Sequence, residues 1–205
     1  MKRLNTKLVS TSLAVAIAAA FAISAAPAQA EQVTDTTAPF SAPANLDFRV
    51  VIPGFLRFRV GSVGATIDQI TFTPLAANVG NSVAVAGTGG DAAGTGANVS
   101  VQANNGQVTI TATNNSGGNG LGTGVAADGF INYSEIATTA TLAQLPAPAL
   151  SNAGGTTSLP TLNAGKVTNR TGVWNYAYAN TTIPSAGNYG TSAQGGRVTY
   201  TATTP

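Results

Sequence analysis

Two residue types central to enzymatic proton transfer and nucleophilic attack are missing from this chain. It has no histidine and no cysteine. Without histidine, the commonest general base and the commonest transition-metal ligand are gone. Without cysteine there are no thiol nucleophiles, thiolate metal sites or disulfides. Serine–histidine and cysteine–histidine mechanisms are therefore excluded within one chain. Carboxylates and a single lysine remain. Asp128 with Glu135 is the candidate pair for carboxylate acid/base chemistry. The seven acids are scattered over separate segments, so no catalytic role is expected. Lys166 is the only lysine beyond residue 30. With Glu135 as a buried acid, it is a candidate for a Lys–Asn isopeptide bond. Asp91 and Asp128 sit in Gly-Asp loops that could offer oxygen atoms to Ca2+. A firm site takes about six or more oxygens, usually with several carboxylates close in sequence. Turn roles are expected for both, and neither a metal nor a cofactor is expected.

Binding chemistry has more material. Trp174, Tyr176 and Tyr178 alternate, and an exposed aromatic row stacks on sugar rings. The competing reading is a core or cross-strand ladder, which the spacing favours. Phe55, Arg57 and Arg59 share one face of a second alternating run. They could hold a carboxylated partner, or they could protect a sheet edge, and edge protection is the stronger reading. Gly118, Gly120, Gly122 and Gly124 mimic a nucleotide loop in spacing only, because no strand-to-helix context follows. Triplets such as Asn132-Tyr133-Ser134 are expected by chance in so polar a sequence.

These side chains must be positioned by strands. Leu46, Phe48, Val50 and Ile52 alternate with Asn45, Asp47, Arg49 and Val51, which predicts a sheet face from Asn45 onward. Pro53-Gly54 breaks the run, and Leu56, Phe58 and Val60 begin another. Ile67, Ile70 and Phe72 mark a third strand, and Val83 and Val85 a fourth. Val99, Val101 and Ala103 precede Asn105-Gly106, and Val108, Ile110 and Ala112 follow. Asn-Gly suits a two-residue type I′ turn, so a hairpin is predicted there. A strand is predicted over 130–136, an irregular crossover over 142–160 and short strands near 166–170 and 174–178. A last strand is predicted over 197–203, with Val198, Tyr200 and Ala202 on one face. No segment beyond residue 30 shows sustained helical periodicity. The fold class expected is all-β, an antiparallel β-sandwich.

Charge and the first residues bound the setting. Lys2, Arg3 and Lys7 precede an apolar stretch from Leu13 to Ala25, and Ala28-Gln29-Ala30 supplies a small-x-small cleavage pattern. Residues 1–30 are read as a secretory leader rather than a membrane span. Beyond them six basic residues face seven acidic ones, a net charge of −1, and no transmembrane segment is expected. No nucleic-acid partner follows from that balance. The Thr-, Ala- and Pro-rich residues 31–44 read as a loose extension, and 45–205 as the folded domain.

The end of the chain carries a resemblance. Ser185-Ala186-Gly187-Asn188-Tyr189 leads through a Gly-rich stretch to Val198-Thr199-Tyr200-Thr201. This resembles the C-terminal strands of chaperone–usher pilins and related spore-coat-like secreted subunits, with Gly187, Tyr189, Val198 and Tyr200 in the matching positions. The resemblance implies an immunoglobulin-like sandwich that is incomplete and is finished by a strand donated from a neighbouring subunit. It implies an assembly role for those four residues. Residues 31–44 would then be the donor arm, with Val33 and Phe40 as its bulky members. It also implies copies of itself or related subunits as partners, a periplasmic chaperone and an outer-membrane usher. The destination would be the cell surface or fimbrium, after passage through the periplasm. The expected function is a structural subunit of a bacterial surface fibre or pilus. The alternative is a monomeric secreted adhesin that binds a surface glycan through Trp174, Tyr176 and Tyr178.

Overall fold

The computed structural model describes residues 32–92 and 94–205, so the leader read over residues 1–30 lies outside the described residues. Two compact units divide at Ile52 and Pro53. The described part of the first, residues 32–52, contains no strand or helix. Its clearest local order is at Asp35, whose carboxylate accepts the amides of Thr37 at 2.9 Å and Ser41 at 2.7 Å. The first of these bonds is the main reason its pKa lies below the usual aspartate value.

The strand expected from Asn45 does not form. Residues 45–52 have no ladder, and Leu46, Phe48, Val50, Val51 and Ile52 are exposed, Phe48 at 88%. Alternation reports a capacity for pairing, but it does not say whether a neighbouring strand takes it up.

The second unit is built of strands with three single-turn 3-10 segments. The strands are β1 (Leu56–Val60), β2 (Ile70–Thr71), β3 (Val85–Ala86), β4 (Thr88–Gly90), β5 (Thr95–Ala103), β6 (Thr109–Asn114), β7 (Leu121–Gly122), β8 (Phe130–Ile131), β9 (Ile136–Ala140), β10 (Thr156–Ser158), β11 (Thr168–Tyr178) and β12 (Val198–Thr203). The protein is all-β, and no helix among the described residues is long and apolar enough to cross a membrane.

The largest sheet runs β2-β4-β5-β11-β3, with β1 also on β5 and β9 also on β11. A second sheet runs β10-β6-β12, and β7 pairs with β8. All ladders are antiparallel except the short β4–β5 contact. Both sides of β5 are occupied. Leu56 to Val60 pair with Ala103 to Val99 on one side, and Thr168 to Asn175 pair with Ala103 to Gly96 on the other.

That occupancy overturns the hairpin expected at Asn105-Gly106. The turn exists, with Gly106 at φ 112°, but it carries the chain from β5 in one sheet to β6 in the other. With no free side on β5, β6 pairs elsewhere. The arch is fastened instead by the Gly106 amide on Lys166 O at 3.0 Å and the Asn105 side chain on Pro205 O at 3.0 Å.

Both sheets feed one core. Val99, Val101 and Ala103 from β5 join Val108 and Ile110 from the arch and β6, with Tyr133, Leu145, Trp174 and Tyr176. Trp174 is fully buried, donates its indole N–H to Leu145 O at 3.0 Å and stands 5.2 Å from the Tyr200 ring. A polar knot closes one end of β11. Asn180, at φ 56° and buried, accepts from the Gly80 amide at 2.9 Å and donates to Asn78 O at 2.8 Å. Asparagine suits that left-handed backbone, and its amide replaces a strand partner for the 78–83 loop.

Urea unfolding of Trp174→Ala is expected to show a loss of about 3–5 kcal/mol. For Asn180→Ala the expected loss is about 1–3 kcal/mol, from buried groups left without partners. A Trp174→Ala loss below about 1 kcal/mol would mean the two sheets do not pack around that ring.

Candidate assembly edge

β12 reads Val-Thr-Tyr-Thr-Ala-Thr, and its alternation is complete. Val198, Tyr200 and Ala202 are partly buried against the core, and Thr199, Thr201 and Thr203 are exposed. One side is hydrogen-bonded to β6, with Val198 opposite Asn114 and Thr203 opposite Thr109. Among the described residues no strand pairs with the other side. Such an edge presents a row of backbone donors and acceptors ready for another strand.

The other edges are shorter or defended. β2, β3 and β10 have two or three residues. β9 is crossed by the Pro-rich segment after it, where the Thr138 hydroxyl donates to Pro148 O at 3.2 Å. β1 carries Arg57 and Arg59, and the Arg57 guanidinium lies 5.4 Å from the centre of the Phe55 ring. Phe55, Arg57 and Arg59 thus sit on a sheet edge, where charge discourages pairing. β12 is the longest of these edges and has no charged residue.

Val198 and Tyr200 share the inward row of β12. Gly187 and Tyr189 do not join them in a strand. They lie in the loop that precedes β12, packed on residues 122–128. The Tyr189 hydroxyl is 3.1 Å from Asp128 O and 3.0 Å from Ser185 O. A side chain at Gly187 would meet Thr123 at 2.8 Å. Further along, a Cβ at Gly196 would come within 1.6 Å of Gly190 O. Arg197 N donates to Asn115 Oδ1 at 3.0 Å, and Asn115 Nδ2 donates to Ser192 O at 2.6 Å. This lock sets where β12 begins.

Val33 and Phe40 belong to the first unit and lie in no strand, with Phe40 exposed at 73%. Trp174, Tyr176 and Tyr178 are buried. The row therefore offers no face to a sugar, because β11 is an interior strand covered by the second sheet's aromatic residue Tyr200.

The carboxylate candidates are dispersed. Asp128 Oδ2 accepts from the Thr123 hydroxyl at 2.6 Å, and Glu135 accepts from the Thr181 amide at 3.1 Å and from its hydroxyl. Glu135 is thus engaged with Thr181 while Lys166 is exposed in the turn before β11. Asp91 accepts the Asn98 amide at 2.7 Å, a turn role. Among the described residues no group of three His, Cys, Asp or Glu side chains gathers to hold a metal ion.

Sequence reasoning missed an internal near-repeat. Leu46-Asp47-Phe48-Arg49-Val50 repeats Leu56-Arg57-Phe58-Arg59-Val60 with one change. The first copy is exposed and unpaired, and the second is β1.

No protein-family model, curated protein or solved structure matches the chain.

β12 is fastened from beneath by phenols. The Tyr176 and Tyr200 hydroxyls are 3.1 Å apart, and Tyr133 donates to Gly195 O in the preceding loop. Burial raises the pKa of both Tyr176 and Tyr200, and for Tyr200 the neighbouring Tyr176 raises it further. Burial pushes Tyr133 up to about 12. These groups are neutral in the fold, whereas an unfolded tyrosine ionises near pH 10. Their contribution to stability is complete below about pH 10 and falls as pH rises above it, that of Tyr133 being lost through about 12. In an alkaline titration, phenolate absorbance from these residues is expected to rise together with loss of β circular dichroism. Full ionisation of all tyrosines while the β signal persists would contradict the buried seam.

Proposed function

We propose that this chain is a structural subunit of a bacterial surface fibre or pilus, assembling by addition of a strand from a neighbouring copy. In this reading the second unit is an antiparallel β-sandwich of immunoglobulin-like type. The β10-β6-β12 sheet lies across the larger one, and the sandwich is incomplete at β12. A strand added there pairs its backbone with β12 and lays its apolar side chains beside Val198, Tyr200 and Ala202. The leader would deliver the chain to the periplasm. A chaperone capping β12 and an usher exporting the subunits would complete the route to the cell surface.

The observation that carries this reading is the free, uncharged, six-residue edge of β12. Low charge supports it, because sparse charge lets identical surfaces pack. The glycan-binding alternative has no support of this kind, since its aromatic row is buried.

The test is assembly of the purified chain from Glu31 onward, followed by light scattering, electron microscopy and SDS-resistant ladders. Filaments or ladders are expected. A Thr199→Lys, Thr201→Lys variant adds two charges to exposed positions of β12. It is expected to keep its melting temperature and to stop assembly. A wild-type chain that stays monomeric up to its solubility limit, with or without a capping chaperone removed, sinks the reading.

A further inference from the structure

We propose that Asn45–Ile52 is the donated strand, and that it pairs with the free edge of β12 in a second copy of this chain. The proposal rests on the strand-addition reading above and names its two surfaces. It places the donor after the extension over 31–44, whose bulky residues Val33 and Phe40 are seven apart and cannot form one continuous row.

The repeat shows what this segment does once it has a partner. In β1 the pattern Leu-x-Phe-Arg-Val turns Leu56, Phe58 and Val60 against the core and leaves Arg57 exposed. Leu46, Phe48 and Val50 have the same types at the same spacing, and Ile52 lengthens the row. All four are exposed, Leu46 at 67% and Phe48 at 88%. The segment is therefore sheet-forming sequence without a sheet. Four large apolar side chains in one row are a strong association signal when left in water.

Three acceptors are open to comparison. The first is the place of β1 beside β5. An incoming Leu46–Val50 would fit there, but it would expel Leu56–Val60, an equivalent row. The exchange covers no more apolar surface than it releases. The second is the outer edge of β1, where Arg57 and Arg59 would meet Arg49. The third is β12. Its exposed residues are threonines, so neither Asp47 nor Arg49 meets a like charge. Its six residues suit an eight-residue donor, and its inward row continues that of Leu46, Phe48, Val50 and Ile52. β12 is the acceptor that gains a strand and loses none.

The donor also has a fixed root. Pro53 O accepts from the Asn104 side chain at 2.9 Å, and the Phe55 amide donates to Asn104 Oδ1 at 2.8 Å. The chain thus leaves the second unit from a held position, and each copy would be joined to the next through Pro53.

A cysteine-free background makes the test clean. Arg49→Cys and Thr201→Cys are prepared as separate single variants, each central in its segment and exposed. Oxidation of the mixture is expected to give a crosslinked dimer containing one of each. Crosslinking of Arg49→Cys to Ser100→Cys on β5 instead would show exchange with β1 and overturn the proposal. A chain carrying both Arg49→Cys and Thr201→Cys that closes only on itself would overturn it as well.

The second arm reads assembly. Phe48→Asp is expected to raise the concentration needed for assembly about ten- to a hundredfold, while Phe40→Asp leaves it unchanged. Because Phe48 is exposed in the single chain, melting of the monomer should not move. Loss of assembly in Phe40→Asp but not in Phe48→Asp would discard this donor and leave the β12 reading standing. Absence of assembly in the unaltered chain would discard both.

Discussion

A strand in a sheet has two hydrogen-bonding sides, and β5 has filled both. β1 and the end of β4 take one, and β11 takes the other. The rest of the architecture follows from that saturation. β6 cannot fold back beside β5, so the chain arches over at Asn105-Gly106 and starts a second sheet. That sheet has three strands, and its last member, β12, ends with one side unpaired among the described residues. In the first unit, Leu46–Val50 repeats the pattern of β1 without a ladder.

A disulfide often ties the two sheets of a small β domain together, and here there is no cysteine to form one. An aromatic seam takes that role. Trp174 on β11 stacks at a tilt on Tyr200 of β12, and the Tyr176 and Tyr200 hydroxyls meet above it. Leu145 O receives the indole N–H, so burying the ring leaves no orphan donor. Tyr133 does the same for the loop before β12 through Gly195 O. The buried face of β12 is therefore tied to the core by these contacts, and ordered contacts of this kind reduce the entropic cost of any further pairing.

Alternation made the sheet-forming residues legible. The rows Leu56-Phe58-Val60, Val99-Val101-Ala103, Val108-Ile110-Ala112 and Val198-Tyr200-Ala202 all face the core, and the Trp174 row is packing rather than display. Pairing was not legible, because it depends on which sides of other strands are free. Asn105-Gly106 looks the same in a hairpin as in an arch. Asn45–Ile52 looks the same as a paired strand, since a period of two says nothing about a neighbour. The two-residue strands β2, β3, β7 and β8 are too short to leave a period. β5 begins at Thr95, inside what reads as a glycine-rich loop, because Gly96 and Ala97 lack the bulk that marks a strand. On β12, Val198 and Tyr200 were legible as members of a core-facing row. Gly187 and Tyr189 were placed in the strand system by pattern, while packing on Thr123 and Asp128 assigns them to the lock before it.

Charge placement links the two halves of this picture. Only thirteen charged residues lie beyond residue 30, so each position carries weight. Two of the six basic ones, Arg57 and Arg59, stand on β1, the shorter of the two principal edges. β12, the longer edge, has threonine at every corresponding position. A strand meant to remain at the margin of a monomer is usually defended by charge, a bulge or a covering loop. β1 has the charge and β9 has the covering segment, but β12 has neither. Threonine adds high strand propensity and a hydroxyl that tolerates either water or a neighbouring chain. Where charge is scarce and still placed on one edge rather than the other, the bare edge is the one that charge does not protect from pairing.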